Sequence, residues 1–328
     1  MAQSEYNIQH IESLLSDSKA VIIGCTDNVR FTHPAPIGSS DSESITFVSE
    51  RRNDRQHLID HSKARVVVCD KSVSIRREWV QSGRAFIVVD RPRLVFSRIV
   101  SMIFLPAARR EIHRTAVVSP HAKLGKSLHI GPNVVIGAAE IGDNTVIYGN
   151  VFIFDNVRIG ANVVIKPGAV IGGSGFGLEK TPEGKVEMFP HIGSVIVGDD
   201  VEIGANTCID RGALGDTVIG SGTKLDNLVH IAHNVKIGRR CVVTASATIA
   251  GSVILGDDVW VAPAATIQDG WEMGNKSMLG TASYLNRRLP EGETWIGAPA
   301  MPLEKFARQR VLLRQLPQRQ NKGPGNEA

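Results

Sequence analysis

From residue 219 onward an aliphatic side chain returns at every sixth position: Ile219, Leu225, Ile231, Ile237, Val243, Ile249, Leu255, Val261, Ile267, Met273 and Leu279. In a chain that is 42% hydrophobic, eleven consecutive hits have a chance probability on the order of one in ten thousand or less. The same spacing links Val118, Leu124, Ile130 and Ile136, slips by one to Ile141, and runs on through Ile147, Ile153, Ile159, Ile165 and Ile171. It returns at Val197, Ile203 and Ile209, and a glycine often follows the aliphatic residue, as in Ile130-Gly131, Ile203-Gly204 and Leu255-Gly256. A period of six fits neither a helix nor a simple alternating strand, but it suits a short strand followed by a tight corner. Three such sides make a triangular coil of about 18 residues, and coils stacked about 4.8 Å apart make a parallel β-helix. The pattern therefore predicts a mainly β solenoid of about nine coils over residues 113–285.

Two stretches break the period. Residues 172–191, GGSGFGLEKTPEGKVEMFPH, read as a loop thrown out from one corner, and Asp210 to Thr217 as a shorter one. Insertions in a solenoid tend to collect on its binding face. Residues 1–110 lack the period; apolar runs at Ala20–Gly24, Ser44–Val48, Arg65–Cys69 and Ala85–Val89 alternate with helix-like segments at Ile8–Leu15, Asp54–His61 and Arg91–Leu105, which predicts a small α/β domain. Residues 111–289 form the solenoid domain. From 290 to 328 the chain turns helical, with Leu303, Phe306, Leu312, Leu313 and Leu316 on one stripe and a polar tail from Pro317.

Composition narrows the class. The chain has 328 residues, 37 Lys+Arg against 33 Asp+Glu, 32 glycines and only 5% aromatic residues. A core short of aromatics and rich in Val, Ile and Gly matches many thin, similar layers. The N-terminal segment carries Glu5, Glu12 and Asp17 and has no apolar core, so we expect no secretory signal and a cytoplasmic protein. The longest apolar run, Val95 to Leu105, is broken by Arg98 and falls short of the ~18 residues that span a bilayer. The four cysteines, Cys25, Cys69, Cys208 and Cys241, lack paired spacing and are expected as reduced thiols.

The densest polar cluster within the repeat is Lys224-Leu225-Asp226-Asn227-Leu228-Val229-His230-Ile231-Ala232-His233-Asn234. His233, two positions after the inward Ile231, emerges near a corner, where a neutral imidazole can act as general base. Eighteen residues on lies Gly251, whose bare backbone N–H is approachable by an oxyanion. His230 and His233 are three apart and no third ligand stands at a neighbouring coil position, so no metal is expected. P-loop, GxSxG and strand-to-helix GxGxxG motifs do not occur, which leaves NTPase, serine hydrolase and dinucleotide functions without support. From Asn286 to the end, eight lysines and arginines face four glutamates, a basic stretch suited to an acidic protein partner. Aromatics are not interleaved with those charges, so nucleic acid is not the expected partner.

The string FPHIGSVIVGDDVEIGANTCIDRGALGDTVIGSGTKLDNLVHIAHNVKIG, preceded by GGSGFG, resembles the core of the UDP-3-O-acylglucosamine N-acyltransferases of lipid A biosynthesis. The likeness is specific within 170–255 and looser over most of the chain. It implies a left-handed coil, where the usual preference for right-handed crossovers would give the opposite hand. It also implies a homotrimer with active sites between barrels, transfer of a 3-hydroxyacyl chain from acyl carrier protein to the 2-amino group of a UDP-sugar, and no cofactor. By the same resemblance His233 matches the general base, Gly251 the oxyanion-holding amide, Asp226 a neighbour that orients the base, and Asn227 a contact to the phosphopantetheine arm. Ile45-Thr46-Phe47 matches the uracil-side segment, with Phe47 as the stacking residue. The chain departs from the family pattern at Glu50, at Asn53 where an aromatic closes over uracil, and at Gly270, beside Trp271, where a second active-site histidine stands. Transfer to a different nucleotide amino sugar, or a trimeric scaffold that has lost catalysis, remain the alternatives.

Overall fold

The structure is a computed structural model that describes residues 5–16, 18–24, 29–105 and 110–315. The chain divides into two compact units, 1–107 and 108–328. Cys25, Leu316 and the tail from Pro317 lie outside the described residues.

In the first unit a five-stranded sheet has the order Val21–Ile23, Ala85–Val88, Val66–Cys69, Ser44–Phe47, His33–Pro34; only the first pair is antiparallel. Side-chain alternation divides its core in two. Ile45, Val66, Val68, Ala85 and Ile87 pack with Val95 and Ile99 of the helix Pro92–Ile103 on one face. Val67, Cys69 and Phe86 pack with Ile59 of the helix Arg55–His61 on the other. Burial pushes the Cys69 thiol up to about 12, so it is a packing group and not a reactive one. A third short helix, Arg77–Gln81, places Trp79 against Phe86 at 5.7 Å; its polar sequence gave no periodic signal.

The second unit is the parallel β-helix. Its strands stack into three faces: face I, nine strands from Val117–Val118 to Tyr284–Leu285; face II, eight strands from Lys123–Leu124 to Glu272–Met273; and face III, ten strands from His129–Ile130 to Met301–Pro302. The chain visits them in the order I, II, III. The hexad aliphatics point inward and stack on their equivalents 18 residues away, as Ile231 on Ile249 and Ile237 on Leu255. From Ile219 to Leu279 every one of them is buried. Many corners carry asparagine in the left-handed region, such as Asn144 (φ 59°), Asn162 (φ 57°) and Asn234 (φ 61°). Asparagine accepts that conformation more readily than most residues, so the sequence itself bends the chain every six residues.

The coil runs further than expected. Thr294–Ile296 pairs in parallel with Met278–Leu279, and Met301–Pro302 closes back on it antiparallel, so β pairing continues past 289 to 302. The helix Leu303–Gln315 follows directly. Phe306 packs against Gly297, but Leu303, Leu312 and Leu313 of the expected apolar stripe are exposed in the single chain. Among the described residues no helix is long and apolar enough to cross a membrane.

Both insertions leave face I and return on face II, at the same corner of consecutive coils. Register measures them: Ile159 pairs with Val197, 38 residues on, and Ile209 with Ile231, 22 residues on, where 18 is the norm. The longer one is not featureless, because Leu178–Lys180 and Val186–Met188 form an antiparallel hairpin within it. Arg211 fastens its base, donating to the Gly172 carbonyl at 2.7 Å and to the Asp155 carbonyl at 3.1 Å.

Candidate active site

His233 and Asn234 form the I-to-II corner of the coil directly above the two insertions. The imidazole is fixed by its Nδ1, 3.2 Å from the Asn234 side-chain oxygen. That oxygen also accepts the Ala213 N–H at 3.0 Å, which identifies it as the carbonyl end, so Nδ1 carries the proton and Nε2 is a bare acceptor. Asn234 is itself held by the Thr217 hydroxyl, which accepts its backbone N–H at 2.9 Å.

Gly251 stands over His233 in the next coil, as the 18-residue arithmetic predicts. A Cβ at 251 would lie 2.7 Å from His233 Cε1, 2.8 Å from Nε2 and 2.7 Å from an Asp269 oxygen. Only glycine leaves room for the ring in this position. The Gly251 N–H donates to no described residue, so a bare acceptor nitrogen and a bare amide donor belong to neighbouring residues of adjacent coils. Gly270, one residue past Asp269, opens to empty space and supplies no side chain.

Three groups that the sequence reading did not single out complete this corner. His191, the last residue of the first insertion, lies with its ring centroid 5.0 Å from that of His233, edge to face. Gly175 separates the two: a Cβ there would be 2.8 Å from His191 Nε2 and 2.9 Å from His233 Cβ. Asp210, the last strand residue before the second insertion, lies 3.8 Å from His230 Nε2. Burial pushes the Asp210 carboxyl above its ordinary value, against the pull of His230, His233 and His191. The available signal was positional, since both residues sit where the six-residue period breaks, at the corner that presents His233 two coils after His191 and one coil after Asp210. Among the described residues no three His, Cys, Asp or Glu converge to hold a metal ion.

Asp226 and Asn227 stand elsewhere. Asp226 was expected to orient the base, but it lies at the III-to-I corner, where its carboxylate accepts the N–H groups of Asn227 (2.7 Å) and Ala245 (3.2 Å). Seven residues separate it from His233, a whole side of the triangle, so within one chain the His233 ring is held by Asn234 and the nearby carboxylate is Asp210. The Asn227 side-chain oxygen accepts the Ala205 N–H at 2.7 Å, and its neighbour Leu228 is both exposed and held at φ 59°.

Phe47 belongs to the first unit. Its ring stacks on Phe96 at 4.7 Å and lines an open cleft of about 440 Å³ with Pro36, Ile37, Arg52 and Arg93. Arg93 also lines an adjoining cleft with Arg51, Arg91 and Glu50. Arg52 is paired with Asp54 at 2.6 Å, and Asn53 between them is exposed.

The coiled barrel of six-residue repeats places the protein among the hexapeptide-repeat acyltransferases. Residues 138–173 and 216–251 match the bacterial transferase hexapeptide (six repeats) family. The barrel is similar to the solved UDP-N-acetylglucosamine O-acyltransferase of Moraxella catarrhalis (26% identity, TM-score 0.54, 60% of this chain and 77% of that one). It is equally similar to LpxA of Acinetobacter baumannii (27%, TM-score 0.53, 61% and 77%), and the coil is left-handed. The UDP-3-O-acylglucosamine N-acyltransferase of Caulobacter vibrioides is 36% identical over 86% of both chains. The protein of that name from Caulobacter sp. K31 is 38% identical, over 55% of this chain and 48% of its own length. The chain belongs to the UDP-3-O-acylglucosamine N-acyltransferase family and is an acyltransferase.

Proposed function

We propose that the protein transfers a 3-hydroxyacyl chain from acyl carrier protein to the 2-amino group of UDP-3-O-acylglucosamine, a cytoplasmic step of lipid A biosynthesis. The observation that carries this reading is the bare His233 Nε2 beside Gly251, whose N–H has no partner among the described residues. The amine attacks the thioester carbonyl, and the oxyanion that forms is held by the Gly251 N–H. As the N–C bond forms and the C–S bond breaks, the proton leaving nitrogen passes to His233 and from there to the departing thiolate, giving amide and thiol. The sequence needs neither a metal nor a covalent enzyme intermediate.

A homotrimer is part of the proposal. Apart from Asp210, the outward positions of face I carry no lysine, arginine, aspartate or glutamate, and run through Val117, Phe152, Cys208, Thr248 and Tyr284. Face II instead shows Lys123, Glu140, Arg158, Lys236 and Glu272 to solvent. An uncharged face on an elongated barrel supports packing against copies of itself. In such a ring the Asp226–Asn227 corner of one copy can approach the His233 corner of the next, a role for those two residues that one chain alone does not allow. In the first unit the Phe47 ring and the arginines around it support a uridine diphosphate site. Lys305, Arg308 and Arg310 on the C-terminal helix suit the acidic carrier protein.

Mass spectrometry of products from purified protein, offered 3-hydroxyacyl carrier protein and UDP-3-O-acylglucosamine, tests the reading. A diacylated product is expected, falling by about 10²–10⁴-fold in His233→Ala. No product with this pair, but transfer from acetyl-CoA to other nucleotide amino sugars in a parallel panel, would move the assignment to a different acceptor.

A further inference from the structure

Two imidazoles share the I-to-II corner, and they are held in the same way. His233 donates from Nδ1 to the Asn234 carbonyl oxygen, and His191 donates from Nδ1 to the Phe189 carbonyl at 2.8 Å. Carbonyl oxygens only accept, so both rings are fixed as the tautomer with a bare Nε2. The His191 ring is 9% exposed, and its Nε2 is buried with no hydrogen-bond partner among the described residues. An unsatisfied buried acceptor forfeits the hydrogen bond it made to water, so such atoms are rare unless a ligand completes them. Glycines surround this one: a Cβ at Gly175 would stand 2.8 Å from Nε2, and one at Gly177 would stand 3.3 Å from Cε1.

The chemistry of the reaction has a matching vacancy. A neutral amine at the moment of attack carries two N–H groups. His233 removes one, while the other stays on nitrogen and ends as the amide N–H of the product. In a site closed to water that second N–H needs an acceptor, whereas a hydroxyl acceptor, with a single proton to lose, needs none. We propose that His191 Nε2 accepts the second N–H of the attacking amine, making His191 a substrate-contacting residue that favours an amine over a hydroxyl. The inference rests on the proposed N-acyl transfer and names the residue that enforces its acceptor class. It also accounts for Gly175, because a Cβ there would stand 2.8 Å from His191 Nε2 and crowd the acceptor.

The test compares wild type, His191→Phe, His191→Gln and Gly175→Ala with 3-hydroxyacyl carrier protein and UDP-3-O-acylglucosamine, reading kcat, KM and melting temperature. His191→Phe keeps the ring and removes the acceptor. It should lower kcat/KM by about ten- to a hundredfold, mostly in kcat, and leave Tm unchanged or higher because an unsatisfied buried atom has gone. His191→Gln, which restores an acceptor, should recover most of the loss. A folded His191→Phe within threefold of wild type overturns the proposal, as does a loss that His191→Gln does not relieve. If His191→Phe does not fold, Gly175→Ala decides: folded but impaired supports the proposal, and folded within threefold of wild type overturns it. A wild type silent with this substrate pair defeats the reading of the reaction and the inference with it, whereas an active wild type with an active His191→Phe defeats the inference alone.

Discussion

Two corners of the same coil have opposite characters. At the II-to-III corner several turns are tied to the next by a side-chain acceptor. Asp143 takes the Lys126 N–H at 2.6 Å, Asp199 that of Ala161 at 2.7 Å, Asp257 that of Arg239 at 2.7 Å, and Asn275 that of Asp257 at 2.8 Å. At the I-to-II corner such ties stand on either side of the insertions, with Asp155 accepting the Ala138 N–H at 2.6 Å and Asn234 that of Ala213 at 3.0 Å. Beside them come two insertions, His191 and His233, and a glycine whose N–H has no partner among the described residues. The satisfied corner holds the coils together, and the unsatisfied one keeps donors and acceptors available for substrate. A repeat scaffold can afford this division because each rung is already secured by its buried aliphatic and by the other corners.

The largest effect should come from one methyl group placed at each corner. Gly251→Ala drives a Cβ into the His233 ring and the Asp269 carboxylate, both movable side chains, so the protein should fold while kcat falls about 10²–10³-fold. Gly238→Ala meets the Gly256 carbonyl oxygen, which is backbone. That variant should lose several degrees in Tm, with activity per folded molecule near wild type. Calorimetry paired with steady-state kinetics separates the two; equal behaviour of the variants would remove the distinction between the corners.

Next in size is Asn234→Ala, which frees the His233 ring and the Ala213 N–H together. A loss of about 10–50-fold in kcat is expected, with about 1–2 kcal/mol of stability from the lost bonds and the left-handed backbone. Asp257→Ala, its counterpart at the satisfied corner, should cost about 1 kcal/mol and leave kcat within twofold. A catalytic defect in Asp257→Ala would show that the ladder also shapes the site.

How much of this was legible follows from what fixes each part. The coil was read almost residue by residue, because burial selects an aliphatic at every sixth place and no distant contact can mimic that signal. The pairing of His233 with Gly251 came from the same arithmetic. Asp226 came from the family resemblance and not from this arithmetic; it does not share the phase of His233 in the 18-residue turn, so within one chain the two stand at different corners. His191 and Asp210 were invisible for the complementary reason, since insertions of unequal length remove the phase, and only the folded chain returns them to the corner. The first unit was read from apolar runs and helix-like segments, but its Arg77–Gln81 helix, too short to show a period, was not.

The smallest effect concerns Asp210, the one charge on an otherwise uncharged face. Burial raises its carboxyl above the ordinary value, so the folded protein holds that proton more tightly than the unfolded chain does. Stability is then lost as pH rises from the unfolded carboxylate range, near about 4, through the raised value, and the loss is complete above it. His230, 3.8 Å away, offsets part of the loss where it is protonated. Asp210→Asn keeps the shape and removes the charge, so it should melt about 1–3 °C higher than wild type at pH 7.5, with the difference closing at pH 3.5. Scanning calorimetry across that range checks the sign. A variant that melts lower at pH 7.5 would mean that the carboxylate is held by its histidines more strongly than burial opposes it, and the I-to-II corner would then be an ion-pair cluster in addition to a site of unmet hydrogen bonds.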